Sequence, residues 1–296
     1  MTDLVIRPLV AGEEHLFDSL PDPGLVGRAI FGETYAEGHY RPEWSWVALR
    51  DGVVVARAAW WAGPDDPAPL ALNWFDFTDA EAAVELLRTA PFRTEYSIAL
   101  PAGWREDETV RAQAQARIDA AVAAGMRVLV HRYRYRWTPD QGLPERPGRL
   151  EFRPEPDDTV ILDLLRRIGE GSLDAHFRHA ADRHGPEAAA QEDLDLLRWL
   201  PGPRDWWRLA FAPDGELVGL TVPSRNLADP IVAFIGVLPA QRGHGYAYDL
   251  LVEATHMLVA EGADRIVAAT DQPNKPMAAT FARAGYPVES ERVDLV

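Results

Sequence analysis

One turn of the chain combines residue types that suit the binding of a phosphate group. The segment GVLPAQRGHGYA, residues 236–247, contains three glycines and Arg242, and it lies between a short apolar run and a long helical pattern. A strand that turns into a helix points several backbone N–H groups and the positive end of the helix dipole at one place. Gly243 and Gly245 can adopt conformations that other residues avoid, and they have no Cβ atom to hold a ligand away. The pattern favours a pyrophosphate site, although a tight turn chosen for geometry alone would use the same glycines.

The elements that must position this turn follow a clear order in the second half of the chain. Before it we predict a strand, two helices, a hairpin and a strand at residues 150–153, 160–168, 194–200, 206–222 and 231–237. After it we predict a helix to residue 261, a strand at 265–270, a helix at 276–284 and a strand at 288–295. Gly262 and Gly285 stand where those two helices should end. This half is therefore predicted to be α/β with a mixed sheet.

The first half of the chain repeats this plan without the glycine turn. LVIRP at residues 4–8 is echoed by LEFRP at 150–154, and a strand, an Asp-Gly turn and a second strand occur near residues 46–56 and 207–219. Where the turn would fall, the first half reads DFTDAEAAVELL, residues 76–87, with no glycine and several carboxylates. Because such a segment would repel phosphate, only the second half is predicted to carry the loop chemistry.

A stretch rich in Pro and Gly, TPDQGLPERPGR at residues 138–149, separates the two halves. We predict a domain at residues 1–140, a linker at 141–148 and a second domain at 149–296. The fold class is predicted to be α/β (α+β), with two tandem domains that each contain a mixed, largely antiparallel sheet flanked by helices.

Two motifs of the second domain resemble those of the GCN5-related N-acetyltransferase (GNAT) family. The residues Arg-Gly-His-Gly-Tyr-Ala at 242–247 resemble its acetyl-CoA pyrophosphate loop, [Q/R]-x-x-G-x-[G/A]. Downstream, TDQPNKPM at 270–277 and FARAGY at 281–286 resemble its strand 5, its cofactor-contacting Asn and a helix that ends in Gly-aromatic. The resemblance covers about residues 148–296, and the first half, which matches in element order alone, resembles a degenerate GNAT-like domain of a tandem protein.

The resemblance implies a reaction and a set of cofactor contacts. The reaction is the acetyl-CoA-dependent transfer of an acyl group to the primary amine of a small molecule, by direct attack on the thioester. Val237 and Leu238 are expected to hydrogen-bond the pantetheine arm, and the Val237 N–H to donate to the thioester carbonyl oxygen. The other implied cofactor-binding residues are Arg242, Gly243, His244, Gly245, Tyr246, Ala247, Asn274, Met277 and Phe281. Met277 and Phe281 suit ordinary helix packing equally well.

The proton-transfer groups are harder to assign. Many family members carry a Tyr seven residues after the Asn, as the acid that reprotonates the CoA thiolate, but the sequence has Phe281 at that position. An attacking amine must be neutral, so a base is expected, either direct or through water. Asp271 at the end of a predicted strand is our candidate, although a helix cap would explain it too. Glu216, Asp229 and His256 are the alternatives.

Composition limits the partners. The chain has 296 residues, is 47% hydrophobic, contains no cysteine and carries a formal net charge of −16. No apolar run reaches the roughly 18–20 residues of a membrane span, and the first residues, MTDLVIRPLV, lack a signal-peptide pattern. We therefore predict a cytoplasmic monomer or homodimer without metal, membrane or nucleic-acid partner, whose amine acceptor is a small molecule, a cationic one suiting the acidic chain.

Other functions stay open. Phe281 and the uncertain base also fit a non-catalytic CoA-binding sensor or scaffold protein. The basic strand HRYRYRW, residues 131–137, places three arginines on one face, which suits an exposed strand and, as a minority alternative, an RNA-binding strip. A tandem transferase that uses aminoacyl-tRNA is a third hypothesis, but a net charge of −16 disfavours a tRNA partner.

Overall fold

The chain forms two compact units, and their boundaries do not lie at the middle of the sequence. The structure, a computed structural model, describes residues 3–20, 39–63, 65–226 and 228–296. By internal contacts the chain forms a first unit, residues 1–131 with 290–296, and a second unit, residues 132–289. Among the described residues, no helix combines the length and apolar character needed to cross a membrane.

The first unit arranges its strands side by side in chain order and adds one from the C-terminus. The order is β1 (Leu4–Pro8), β2 (Ser45–Arg50), β3 (Val53–Trp61), β4 (Ala71–Phe77), β5 (Glu95–Pro101) and residues 290–295 of β12 (Val288–Leu295). Neighbours are antiparallel except β4 and β5, which are parallel. The helices among its described residues are α1 (Glu14–Asp18), α2 (Ala80–Thr89) and α3 (Glu108–Ala123). The core of the first unit contains buried side chains of both strands and helices, among them Trp60, Phe75, Leu86, Ile98 and Leu295.

The second unit has the same arrangement. Its order is β7 (Glu151–Pro154), β8 (Arg208–Phe211), β9 (Leu217–Arg225), β10 (Pro230–Val237), β11 (Ile266–Asp271) and residues 132–137 of β6 (Val128–Trp137). Neighbours are antiparallel except β10 and β11, which are parallel. The helices are α4 (Asp158–Gly169), α5 (Ala175–His184), α6 (Pro186–Trp199), α7 (Tyr246–Ala260) and α8 (Lys275–Arg283).

The two units confirm the duplicated plan and the mixed α/β fold, and they add an exchange of strands. The sixth strand of each unit comes from the other half of the sequence, residues 290–295 in the first unit and 132–137 in the second. The units therefore differ at their edges from the predicted domains. The physical reason is that alternating residues reveal a strand but do not reveal which edge it pairs with.

Most elements of the second half lie within three residues of their predicted positions, and helices α1 and α5 were not predicted. Helix α1 has only five residues. Helix α5 reads AHFRHAADRH and buries only Ala175 and Phe177, so it has almost no apolar periodicity to detect. Helix α6 also begins earlier than expected, at Pro186, because Pro is favoured at the first position of a helix.

The basic strand β6 alternates as predicted. Tyr133, Tyr135 and Trp137 pack with an aromatic cluster of the second unit. The arginines between them form ion pairs with carboxylates of the same unit, namely Arg132 with Asp271, Arg134 with Asp229 and Glu289, and Arg136 with Glu289. These guanidinium groups thus bind carboxylates of the second unit, which disfavours the alternative of an RNA-binding strip.

The exchanged strand predicts an unusual dependence of the first unit on the end of the chain. Leu295 is fully buried in the first unit's core, so Leu295→Ala should lower the free energy of unfolding there by about 2–5 kcal/mol. Hydrogen exchange of the β5 amides, residues 96–100, measures this loss. Val288→Ala on the same strand, at a side chain 38% exposed, is the control and should change stability by about 0.5 kcal/mol at most. Unchanged β5 protection in Leu295→Ala would contradict the exchange.

Candidate functional site

The glycine turn opens helix α7 without a side-chain cap. Five of the other helices begin under a capping side chain, whereas α1 and α6 do not; the capping residues are Asp79, Asp107, Asp157, Asp174 and Asn274. Helix α7 follows Gly245, which provides none. Gly243 and Gly245 have φ angles of +84° and +75°, and a Cβ at Gly243 would meet no atom within 4 Å. Gly243 is therefore required by the backbone conformation and not by close packing, which leaves the space above the turn open.

The turn presents a row of backbone donors. In the part of the chain that the structure describes, the N–H groups of residues 243–247 donate to no carbonyl and to no side chain. They lie at the positive end of the 15-residue helix α7. Donors in this position bind phosphate groups in many proteins. The N–H of Arg242 is not among them, because it donates to the Pro239 carbonyl at 3.3 Å.

Arg149 holds the peptide planes that carry two of these donors. Its Nη1 donates to the His244 carbonyl at 3.0 Å and its Nη2 to the Gly245 carbonyl at 3.2 Å. Because the C=O and N–H of a trans peptide point in opposite directions, these bonds turn the N–H groups of Gly245 and Tyr246 away from Arg149. An ion pair with the buried Asp249 on α7 fixes the guanidinium in place.

Arg242 is engaged with carbonyl groups. Its Nε donates to the Val237 carbonyl at 3.2 Å. Its Nη1 and Nη2 donate to carbonyls at the end of α4 and just beyond it, Ile168 at 2.6 Å, Glu170 at 2.7 Å and Gly171 at 3.2 Å. Four of the five guanidinium N–H groups are used in this way. The expected phosphate contact of this side chain therefore has one donor left at most.

Strand β10 separates from its parallel neighbour β11 toward the glycine turn, and we call the space between the two strand ends the cleft. Among the described residues, β10 and β11 pair only at Ile231 and Val267, near the start of both strands. On its other side β10 stays paired with β9 as far as Val237, which lies opposite Gly219. A Cβ at Gly219 would lie 2.1 Å from the Gly236 carbonyl oxygen, so only glycine allows this approach.

The end of β10 directs one N–H into this cleft. Leu238 donates its N–H to the Val218 carbonyl of β9 at 2.9 Å, and its side chain is buried. Leu238 is therefore not free to hydrogen-bond a pantetheine arm, which differs from expectation. Because successive N–H groups of a strand point to opposite sides, the N–H of Val237 faces away from β9 and toward the open side. The role of the Val237 N–H as an oxyanion donor remains a prediction.

Helix α8 places Asn274 at the cleft and buries Phe281. Asn274 caps α8, its Oδ1 accepting from the Met277 N–H at 3.2 Å, so its amide NH₂ remains a donor. Phe281 is 2% exposed and stacks on Tyr135, with ring centroids 4.3 Å apart and 19° between the planes. Met277 packs partly buried against the same aromatic cluster. Phe281 is a core residue, and its role as a channel wall remains a prediction.

Asp271 is buried at the end of β11 and already has partners. Its Oδ2 accepts from the Ala175 N–H at 2.7 Å, and its Oδ1 lies 3.0 Å from Nε of Arg132. Burial, reinforced by the nearby Asp174 carboxylate, raises the pKa of Asp271. A raised pKa suits a base, but the two contacts also give Asp271 a structural role that the sequence did not reveal.

The other candidate bases lie in less suitable places. Asp229 is at the opposite end of β10 from Val237 and pairs with Arg134 and Arg265. His256 lies on α7, where its Nε2 contacts the Pro144 carbonyl at 2.8 Å. Glu216, in the turn between β8 and β9, accepts from Gln241 at 2.8 Å.

In the first unit, a carboxylate lies at the start of α2, the helix that corresponds to α7. After β4 only two residues precede α2, and Asp79 caps that helix by accepting from the Ala82 N–H at 3.1 Å. Asp79 also pairs with Arg50 at 2.5 Å. The negative charge that a phosphate would bring is therefore already supplied by the chain.

Sequence reasoning missed the residues that support the turn. Arg149 follows a Pro-Gly pair, directly after the predicted linker. Asp249 reads as an exposed helix residue, and Gly219 as an ordinary hairpin glycine. The only available signal was the charge pair that Arg149 and Asp249 form, and their separation of 100 residues hides it.

An uncapped helix at a glycine turn, beside a pair of splayed parallel strands, defines an α/β domain suited to an anionic cofactor. Residues 175–286 match the family model described as Acetyltransferase (GNAT) family. This match lies within the second unit and covers less than half of the chain, so it identifies a GNAT-like domain there. No curated protein matches it by sequence.

Solved structures share the fold over nearly the whole chain. A GCN5-related N-acetyltransferase from Sphaerobacter thermophilus is 15% identical, with 99% of this chain and 94% of that chain covered and a TM-score of 0.54. A tandem GNAT protein from the clavulanic acid biosynthesis pathway, solved without AcCoA, is 17% identical, with coverages of 99% and 98% and a TM-score of 0.52. A glucosamine N-acetyltransferase region of a fungal GH3 β-N-acetylglucosaminidase is 13% identical, with coverages of 100% and 38% and a TM-score of 0.57. At these identities the likeness concerns the fold.

The acidic groups around Asp193 predict a pH-dependent stability. Burial, with Asp174 and Glu192 adding repulsion, raises the pKa of Asp193 on α6 to about 7. In the unfolded chain an aspartate titrates near pH 3.9, so from about pH 4 to 7 the folded state holds a proton that the unfolded state has lost. The free energy of unfolding therefore falls as pH rises through this window.

We expect Asp193→Asn to raise the melting temperature, by an amount that grows from pH 5 to pH 8. Thermal unfolding followed by fluorescence at several pH values measures the difference from wild type. Asp195→Asn on the same helix is the control, since that side chain is 61% exposed and should show no such growth. An equal shift at pH 5 and pH 8 would exclude this titration.

Proposed function

We propose that the second unit is an N-acetyltransferase domain that takes an acetyl group from acetyl-CoA and transfers it to the primary amine of a small molecule. One observation carries the proposal. The row of unpaired N–H groups at residues 243–247 lies directly after the strand end where the Val237 N–H faces an open cleft. A pyrophosphate and a thioester carbonyl joined by one flexible arm would need these two kinds of donor.

The residues present suit the cofactor. The N–H groups of residues 243–247 would hold the pyrophosphate, with Arg149 fixing the direction of the two that belong to Gly245 and Tyr246. Asn274 would offer its free amide NH₂ to the pantetheine arm. When bound, acetyl-CoA supplies the activated thioester, and the Val237 N–H would donate to its carbonyl oxygen as negative charge develops there. A backbone donor of this kind contributes a few kcal/mol in enzymes generally.

The proton transfers use the residues at the end of β11. Asp271, with its raised pKa, is the proposed base, acting on the amine directly or through water. The carboxylate of Asp174 adds negative charge near it, which favours a cationic acceptor. Phe281 donates no proton to the departing thiolate. A thiol with a pKa of roughly 8.5 leaves without much help, so the missing acid is compatible with turnover.

A second function is favoured by Phe281. This residue is 2% exposed and stacked on Tyr135, so the position of the family's acid has become part of the core. Asp271 is likewise engaged with Ala175 and Arg132. Both features fit a protein that binds CoA without catalysis, as a sensor or scaffold.

Titration with acetyl-CoA tests the cofactor assignment. We expect one equivalent to bind per chain, because Asp79 caps the corresponding helix of the first unit. Gly243→Ala should weaken binding about tenfold, since alanine in the left-handed region costs about 1–2 kcal/mol and would shift the turn. Gly262→Ala is a matched control with a φ of +83° and equally open surroundings, at the end of α7. It should leave the affinity unchanged, and no saturable binding by wild type would refute the proposal.

A panel of amines separates the two functions. The transferase releases free CoA thiol when the correct primary amine is added to acetyl-CoA and protein. Asp271→Asn should then lower the rate about 10²-fold or more, in the range of general-base contributions. Tight acetyl-CoA binding with no thiol release across amino sugars, polyamines and amino acids would favour the sensor.

A further inference from the structure

A short segment of the second unit is tied to the ends of both splayed strands. The segment is residues 168–175, which joins α4 to α5, and we name it the bridging segment. At its first end, Arg242 donates to the carbonyls of Ile168, Glu170 and Gly171 while also donating to the Val237 carbonyl at the end of β10. At its other end, Ala175 donates its N–H to Asp271 at the end of β11. The bridging segment therefore runs from one side of the cleft to the other.

The bridging segment is built for close contact at its first end. Gly171 has a φ of +63°, and a Cβ there would lie 3.3 Å from Nη1 of Arg242. A Cβ at Gly169 would lie 2.0 Å from the ring of Phe177. The last carbonyls of a helix have no partner within that helix. At the end of α4, Arg242 satisfies the Ile168 carbonyl, while backbone N–H groups of the bridging segment donate to the carbonyls of Arg167 and Gly169.

Arg242 is also part of the glycine turn. Its backbone precedes the donors at residues 243–247, while its side chain holds the bridging segment. Any change of position that a bound pyrophosphate imposes on the turn must therefore act on a side chain with four hydrogen bonds to the rest of the unit. A residue that served only as a positive charge for phosphate would be expected to leave its donors free.

We propose that Arg242 is a positioning residue that couples occupation of the glycine turn to the order of the bridging segment, and through Ala175 to Asp271. The inference rests on the proposed function and adds an order of events to that function. Binding at the turn prepares the end of the cleft where the acceptor amine would meet its base. Affinity for CoA then depends mainly on the backbone of the turn, and the guanidinium of Arg242 determines how the bridging segment responds to binding.

Hydrogen exchange with and without coenzyme A tests this coupling in the full chain. In wild type, saturating CoA should slow exchange both at residues 243–248 and in the bridging segment. In Arg242→Gln and in Arg242→Lys we expect CoA affinity to stay within about threefold, the turn to remain protected, and the protection of the bridging segment to be lost. Arg242→Lys keeps the positive charge but not the fork of donors, so it separates charge from geometry.

Arg149→Gln is the matched control, because Arg149 holds the same turn without touching the bridging segment. It should weaken CoA binding about tenfold and, at saturation, leave the protection of the bridging segment intact. The coupling is refuted if CoA still protects this segment in both Arg242 variants. It is also refuted if Arg242→Gln loses affinity about tenfold and Arg242→Lys restores it, since the charge alone would then act on phosphate. Absence of CoA binding by wild type would overturn the proposed function and this inference together.

Discussion

A peptide N–H that serves a ligand cannot also serve the fold, and the second unit is built around this constraint. Most buried backbone donors of a protein are used in its own hydrogen bonds. Among the residues that the structure describes, the glycine turn leaves five backbone donors unpaired at residues that are exposed or partly buried, and side chains of the unit bind carbonyls of the same turn. Arg149 binds the carbonyls of His244 and Gly245, and the buried Asp249 holds Arg149. Arg149 thus fixes the turn on its carbonyl side, while the N–H donors on the opposite side stay available.

The same logic operates at the strand end. Val237 can present its N–H because β10 has left β11, and β10 can leave β11 because β9 holds it on the other side. Gly219 allows that close pairing, and Leu238 completes it with its bond to Val218. The cleft therefore depends on the pairing of β9 with β10, on the side of β10 that faces away from the cleft.

Local rules were sufficient for only part of the fold and of the site. Alternation and helix periodicity predicted most strands and helices, and the glycine spacing located the turn and its backbone donors. The exchange of β6 and β12 was out of reach, because it pairs strands from opposite halves of the chain. Motif spacing also could not show that Phe281 stacks on Tyr135 or that Asp271 already accepts from Ala175, since both contacts involve other elements. Chemistry carried by the backbone is therefore easier to predict from sequence here than chemistry carried by side chains.

The two units show two solutions to one electrostatic problem. Each has a helix whose positive end follows a strand, and such an end is stabilised by negative charge. In the first unit Asp79 supplies that charge and Arg50 balances it. In the second unit the nearest carboxylate, Asp249, is turned to Arg149 and lies inside the first turn of the helix rather than at its cap. A duplicated fold with one end closed by its own residue and the other left open argues that the open end has a ligand to accommodate, because a capping aspartate was available to the same architecture.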